Sequence, residues 1–276
     1  STPANSTLTV KGDAADSVVL TGAWTSGATT MIDGTLYQTY TSTNPAVTLK
    51  VANDIQQLQM QEGTSGNDTV TGQASADEFL SAGDGDDTIN ADAGDDVIRG
   101  GIGNDVLDGG TGSNTVDYGD NTTPVVVNLG INSFTTTVNG NSITVAAGTA
   151  QGPDQGNVTG SGTDTIQNIE NVTGGTASDQ LIGSANANVM AGGDGADTLD
   201  GGRGADTLLG GTGTDSLLGG DDADVLDGGI GADTLDGGAD ADTLIAGAGA
   251  DSLVGGSGAD ALFGGAADDT LGGGTD

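Results

Sequence analysis

The chain has 276 residues, with Gly 53, Asp+Glu 40, Lys+Arg 4 and a formal net charge of −36. Cysteine and histidine are both absent, which excludes a disulfide scaffold, thiol chemistry, His-based triads and the usual zinc sites. The acidity argues against nucleic acid or an anionic membrane as a direct partner, and no stretch is long and apolar enough to span a bilayer as a transmembrane segment.

Residues 1–62 carry no repeat and are expected to form a small β domain or N-terminal cap. Leu8 to Val10, Ser17 to Leu20, Thr29 to Tyr40 and Ala46 to Val51 read as strands separated by Gly, Asn and Pro. Asp33-Gly34 is a hairpin-turn pair. Trp24, Tyr37 and Tyr40 are read as the core of this segment in preference to a sugar-binding surface, because a repeat stack needs a cap.

Residues 63–117 form a first repeat block: GTSGNDTVT, GQASADEFL, an extra Ser81, then AGDGDDTIN, ADAGDDVIR, GGIGNDVLD and GGTGSNTVD. In this register the sixth places are Asp68, Asp77, Asp87, Asp96, Asp105 and Asn114, and the eighth are Val70, Phe79, Ile89, Ile98, Leu107 and Val116. Asn114 supplies oxygen without charge, so a site sharing it should bind a cation less tightly.

Residues 118–173 break the period and read as a β-rich spacer. Pro124 to Leu129 forms one strand, Phe134 to Val138 and Ser142 to Ala147 flank the two-residue turn Asn139-Gly140, and Thr163 to Val172 leads back into register. The spacer is read as a structural bulge rather than a partner-binding excursion.

Residues 174–276 are a second block. GGTASDQLI and GSANANVMA keep the period, and from residue 192 nine units of nine residues follow without a slip, from GGDGADTLD to GGAADDTLG. Their sixth places are Asp197, Asp206, Asp215, Asp224, Asp233, Asp242, Asp251, Asp260 and Asp269; Leu fills every eighth place from Leu199 to Leu271. The two earlier units contribute Asp179 and Asn188.

A period this short describes a unit that cannot bury its own apolar side chain and must stack. Each tail, as in Thr198-Leu199-Asp200, suits a short strand with Leu turned inward, and each Gly-rich head suits a tight loop. Two units then make one flattened coil, successive coils stack as parallel strands about 4.8 Å apart, and loops two units apart share an edge. Asp197 therefore lies over Asp215, Asp233, Asp251 and Asp269 on one edge, and Asp206 over Asp224, Asp242 and Asp260 on the other. Columns of carboxylates at strand spacing repel unless a cation sits between them. The donors are carboxylate and carbonyl oxygens alone, a set that favours Ca²⁺ over zinc or copper and fits Mg²⁺ less well.

The repeats resemble the RTX, or haemolysin-type, calcium-binding nonapeptide GGxGxDxUx, and the resemblance implies a parallel β-roll, an all-β right-handed solenoid. The implied metal ligands are Asp68, Asp77, Asp87, Asp96, Asp105, Asp179, Asp197, Asp206, Asp215, Asp224, Asp233, Asp242, Asp251, Asp260 and Asp269. Loop carbonyls of Gly83, Gly85, Gly101, Gly103, Gly193, Gly195, Gly202, Gly204, Gly211, Gly213, Gly229, Gly231, Gly256 and Gly258 complete them. Pairing each unit with the next but one allows about thirteen Ca²⁺ at most. Asp222 and Asp240 replace the fourth-place Gly and are read as tolerating its left-handed conformation rather than as extra ligands. Ala177 and Ala267 at the same place mark doubtful loops, and Arg99 and Arg203 are read as solvated charges.

Ion binding should neutralise most of the excess charge, so metal binding and folding are expected to be one event. No catalytic residue or organic cofactor is expected, because the periodic Asp placement is accounted for by calcium. The reading is an extracellular structural module of a surface-layer or adhesin-type protein. The alternative is a C-terminal secretion and folding module of a secreted enzyme or toxin. Proteins of this family are typically exported by type I secretion, so an extracellular or cell-surface location is expected. Partners beyond calcium are expected to be a second copy or other surface proteins. The chain stops at Gly274-Thr275-Asp276, the opening of another repeat, so a piece of a longer protein is expected.

Overall fold

The computed structural model describes residues 6–10, 17–21, 24–26, 30–32, 35–43, 46–52, 57–72, 77–130, 132–138, 141–146, 148–153 and 161–275; up to residue 65, and over most of 134–162, only the backbone is described. Every regular element among these residues is a strand, and the repeats build a parallel β-roll. Two compact units divide the chain, Ser1–Asn114 and Thr115–Asp276.

In the first unit, Ser6–Val10, Trp24–Ser26, Thr30–Ile32, Thr35–Thr43 and Ala46–Ala52 form a separate sheet. The segment read as one strand from Thr29 to Tyr40 is two strands, paired antiparallel with Ile32 opposite Thr35. The turn residues Asp33-Gly34 lie outside the described residues, as do the side chains of Trp24, Tyr37 and Tyr40. Ser17–Thr21 is not part of that sheet. It pairs in parallel with Gln57–Ser65, which pairs in turn with Phe79–Asp84 and so extends one face of the roll. The alternation Leu58-Gln59-Met60-Gln61 is the sequence signal for Gln57–Ser65, which the strand reading above passed over.

The register between Phe79–Asp84 and Val97–Ile102 corrects the repeat alignment. Phe79 lies opposite Val97, Leu80 opposite Ile98 and Ser81 opposite Arg99. Leu80, fully buried, therefore holds the eighth place expected for Phe79, and Ser81 is the ninth residue rather than an extra one. The additional residue therefore falls between Gly72 and Glu78, whose backbone bonds both keep the regular register. A loop can take up one residue locally, whereas a slip in the strand would turn Leu80 outward and Phe79 inward.

In the second unit, one face of the roll stacks Gln180–Ile182, Thr198–Arg203, Ser216–Asp221, Thr234–Ala239, Ser252–Ser257 and Thr270–Gly272. The other stacks Thr115–Asp117, Asn171–Thr173, Val189–Gly195, Thr207–Gly213, Val225–Ile230, Thr243–Ala248 and Ala261–Phe263. Registers run in steps of eighteen residues, as in Leu199, Leu217, Leu235 and Leu253. These Leu side chains and those of the facing sheet (Leu208, Leu226, Leu244) are 0–2% exposed. Each buried Leu contributes about 1.5–3 kcal/mol, and the interior consists almost entirely of these two columns.

The spacer joins this architecture rather than standing apart. Val126–Asn128 lies parallel to Gln180–Ile182 and so takes the place of a preceding coil. Its other edge pairs antiparallel with Thr149–Pro153, which pairs with Ser161–Gln167. Phe134–Val138 and Asn141–Val145 form the expected hairpin with Val138 opposite Asn141, and the turn Asn139-Gly140 lies outside the described residues. A buried hydrogen bond from the Tyr118 hydroxyl to the Asp164 carboxylate, 2.8 Å long, ties the two ends of the spacer together.

Candidate metal sites along the roll edges

The loops bring the sixth-place residues into columns held by one repeated hydrogen bond. The backbone N–H of each donates to Oδ1 of the carboxylate eighteen residues on: Asp197 to Asp215, Asp215 to Asp233 and Asp233 to Asp251, all at 2.8 Å. The opposite edge repeats it from Asn188 through Asp206, Asp224 and Asp242 to Asp260, at 2.7–3.1 Å. The columns run as expected from the period. One oxygen of each carboxylate is thereby fixed.

The second oxygen is the chemically informative one. Oδ2 of Asp87, Asp96, Asp197, Asp206, Asp215, Asp224, Asp233, Asp242, Asp251 and Asp260 is buried without a hydrogen-bond partner. A buried, unpaired carboxylate oxygen costs several kcal/mol unless a cation or proton reaches it. Burial first, then repulsion between stacked carboxylates, pushes Asp197 and Asp206 up to about 7 and Asp96 and Asp224 up to about 6, despite the backbone hydrogen bond each accepts. Asp87, Asp215, Asp233 and Asp242 are raised for the same reasons.

Beside Oδ2 of Asp197, Asp206, Asp215, Asp224, Asp233 and Asp242 a backbone carbonyl of the unit next but one supplies a further oxygen. A point at the Cβ position of Gly210 lies 2.7 Å from both Asp215 Oδ2 and the carbonyl oxygen of Gly228. At Gly237 the corresponding distances are 2.5 Å to Asp242 Oδ2 and 2.6 Å to the Gly255 carbonyl. The carboxylate and carbonyl oxygens thus converge on the same side of the first-place glycine, a donor set that suits a large, oxygen-seeking cation. The first-place carbonyl was not among the donors read from the sequence, which names glycine positions but not the direction of their peptide planes. Among the described residues no three carboxylates converge as one cluster, so any site is built from stacked carboxylates together with backbone carbonyls.

The second- and fourth-place glycines named as carbonyl donors all adopt positive φ. Their carbonyls point along the stack. A Cβ on Gly213, where φ is +155°, would overlap the Gly195 carbonyl oxygen. At least some second-place carbonyls already accept ladder bonds, as Gly256 does from Thr275 N–H at 2.8 Å.

Block edges behave differently. Asp179 accepts Val125 N–H at Oδ1 and Gly175 N–H at Oδ2, so both its oxygens are engaged; burial still raises it to about 6. Asn188 accepts from Ser184 and donates to the Glu170 carbonyl. In the first block one edge runs Asp68, Asp87, Asp105 and the other Glu78, Asp96, Asn114. Glu78 rather than Asp77 thus occupies the sixth place of its unit. It is 2% exposed, whereas Asp77 is exposed and accepts Asp95 N–H at 2.9 Å.

Asp222 and Asp240 take φ of 80° and 76°, the conformation of the glycine they replace, and Asp222 Oδ2 accepts Gly204 N–H at 3.2 Å. Ala267 is forced to φ 96°, while Ala177 stays out of that region. Arg203 is exposed and pairs with Asp221 at 3.2 Å. Arg99 departs from the expectation of a solvated charge: it is half-buried, with its guanidinium 5.2 Å from the centre of the Phe79 ring.

The family model described as RTX calcium-binding nonapeptide repeat (4 copies) matches residues 62–81, 81–116, 173–208, 209–244 and 245–276, more than half of the chain. The chain belongs to this RTX calcium-binding repeat family. The roll is accordingly a structural calcium-binding domain, of a kind typical of secreted proteins. A comparison with curated proteins gives no match. Among solved structures the chain is similar to the extracellular lipase LipA from Serratia marcescens at 22% identity, over 72% of this chain and 32% of the lipase, with a TM-score of 0.21. The chain thus spans about a third of that lipase's length, and a likeness this low supports no inference about activity. No helix among the described residues is long and apolar enough to cross a membrane.

Proposed function

We propose that this RTX roll is an extracellular, calcium-stiffened structural module of a surface-layer or adhesin-type protein, exported by the type I route. The observation that carries the reading is the run of buried Asp Oδ2 atoms without partners from Asp197 to Asp260. So many buried carboxylates fit a role in which calcium holds the stack together. They do not resemble a catalytic pair, because each repeats its neighbour's surroundings. Ligands in this reading are the sixth-place carboxylates with loop carbonyls, in about thirteen gaps at most. Self-association through the acidic faces, as a surface layer needs, is part of it.

Small-angle X-ray scattering on metal-stripped protein tests the proposal. An unfolded chain of this length has a radius of gyration of about 58 Å. Millimolar Ca²⁺ should bring it far below that value and Mg²⁺ should not. A radius indifferent to calcium contradicts the stiffening role, and a chain that stays monomeric in millimolar calcium contradicts the self-association.

A further inference from the structure

The ten-residue unit from Gly72 to Ser81 is the one repeat of the first block whose acidic residue was misplaced by counting. Its described residues, Gly72 and 77–81, repeat the arrangement of the regular units, with a different acidic side chain. Gly72 holds the first place, its N–H donating to the Asn90 carbonyl at 2.8 Å. Leu80 holds the buried eighth place. Glu78 N–H donates to Asp96 Oδ1 at 2.9 Å, the bond that joins successive rungs in the Asp columns. The Cβ position of Gly72 lies 2.5 Å from Glu78 Oε2 and against the carbonyl oxygen of Ala91. This is the same meeting of a carboxylate oxygen with the first-place carbonyl of the unit next but one that is seen at Gly210 and Gly237. The next rung, Asp96, is 0% exposed, and its Oδ2 has no hydrogen-bond partner.

We propose that Glu78, and not Asp77, is the calcium-ligating carboxylate of this unit. The site lies between the Glu78 and Asp96 coils, with the Ala91 carbonyl as a further donor. Asp77 belongs instead to the outer hydrogen-bonded edge through Asp95 N–H. The assignment rests on the reading that the columns bind calcium, so its test carries a control for that reading.

Native mass spectrometry on the full chain at saturating Ca²⁺, with circular dichroism to follow β content, separates the possibilities. E78Q should carry one calcium ion fewer than the parent at unchanged β content, and D77N should carry the parent number. D215N, in the second block, should also lose calcium. E78D should keep the number but raise the half-saturating calcium concentration several-fold, which keeps the assignment testable if Gln unsettles the coil. The assignment is overturned if D77N loses the ion, or if neither E78Q nor E78D differs from the parent while D215N loses calcium. If D215N too keeps the parent number, the calcium reading of the columns fails instead.

Discussion

In the first block the fifth place of the loops carries side chains that reach the neighbouring coil; in the second it is almost always alanine. Asp86 N–H donates to Asn67 Oδ1, and Asp86 Oδ1 accepts both the backbone and side-chain N–H of Asn104, at 2.9 and 3.0 Å. On the other edge Asp77 accepts from Asp95, and Asp95 from Ser113 at 2.7 Å. These bonds hold Asp86 below the usual carboxylate range, because both kinds of Asn104 N–H favour its charged form. The second block has Ala196, Ala205, Ala223, Ala232, Ala241, Ala250 and Ala259 at this place, and its outer links are scattered ones, such as Ala196 N–H to Ser178 Oγ, Thr212 Oγ1 to Asp194 and Arg203 to Asp221. An outer ladder links coils without metal, whereas a buried carboxylate ladder links them only when something neutralises it. Calcium dependence should therefore be greatest where the repeats are most regular.

The largest expected effect comes from breaking the regular stack itself. Gly213→Ala combines a positive φ with overlap against the Gly195 carbonyl, and should destabilise the second block by more than about 3 kcal/mol, read as thermal unfolding in calcium. Gly273→Ala, with nothing within 4 Å of the added methyl, is the matched control and should leave the transition unchanged.

Acid should sharpen the contrast next. Burial and neighbouring carboxylates raise the stacked Asp in both blocks, to about 7 for Asp197 and Asp206 and about 6 for Asp96 and Asp224, while an unfolded Asp titrates at about 3.9. Between about pH 4 and 7 the folded stack therefore holds more protons than the coil. Metal-free stability is fully present below that window and is lost as pH rises through it. Lowering the pH of metal-stripped protein from 8 to 5 should increase β content by circular dichroism. With calcium the sign reverses, because protons compete for the same oxygens. The half-saturating concentration should rise as pH falls below about 7.

A smaller effect tests the outer ladder. Asn104→Ala removes the side-chain bond to Asp86 and should lower hydrogen-exchange protection around Asp86 and Asn104 by about three- to ten-fold in metal-free protein, with little change in calcium. The smallest belongs to loop strain. Ala267→Gly relieves a left-handed alanine at φ 96° and should stabilise the chain by about 1 kcal/mol, seen as a slightly higher melting temperature.

Much of this was legible in the residues. A strict period with Leu at the eighth place dictates stacked coils, and stacking dictates the Asp columns. Three features were hidden for physical reasons. Glu78 was missed because counting cannot say whether an extra residue swells a loop or a strand; the need to bury Leu80 decides for the loop, and that signal was available. Val126–Asn128 takes a coil's place beside Gln180–Ile182 by long-range pairing that leaves no periodic trace. Arg99 looked solvated because a sequence does not show that Phe79 lies beneath it.

Hydrogen exchange followed by mass spectrometry on the metal-stripped 276-residue chain, across a calcium titration with magnesium as control, tests the central claim most directly. The account predicts that second-block amides from Asp197 to Asp251 gain protection cooperatively with calcium and not with magnesium, while the first block keeps part of its protection without either ion. Equal protection of the second block with and without calcium would contradict it, because its buried carboxylates would then be stable with no cation to neutralise them.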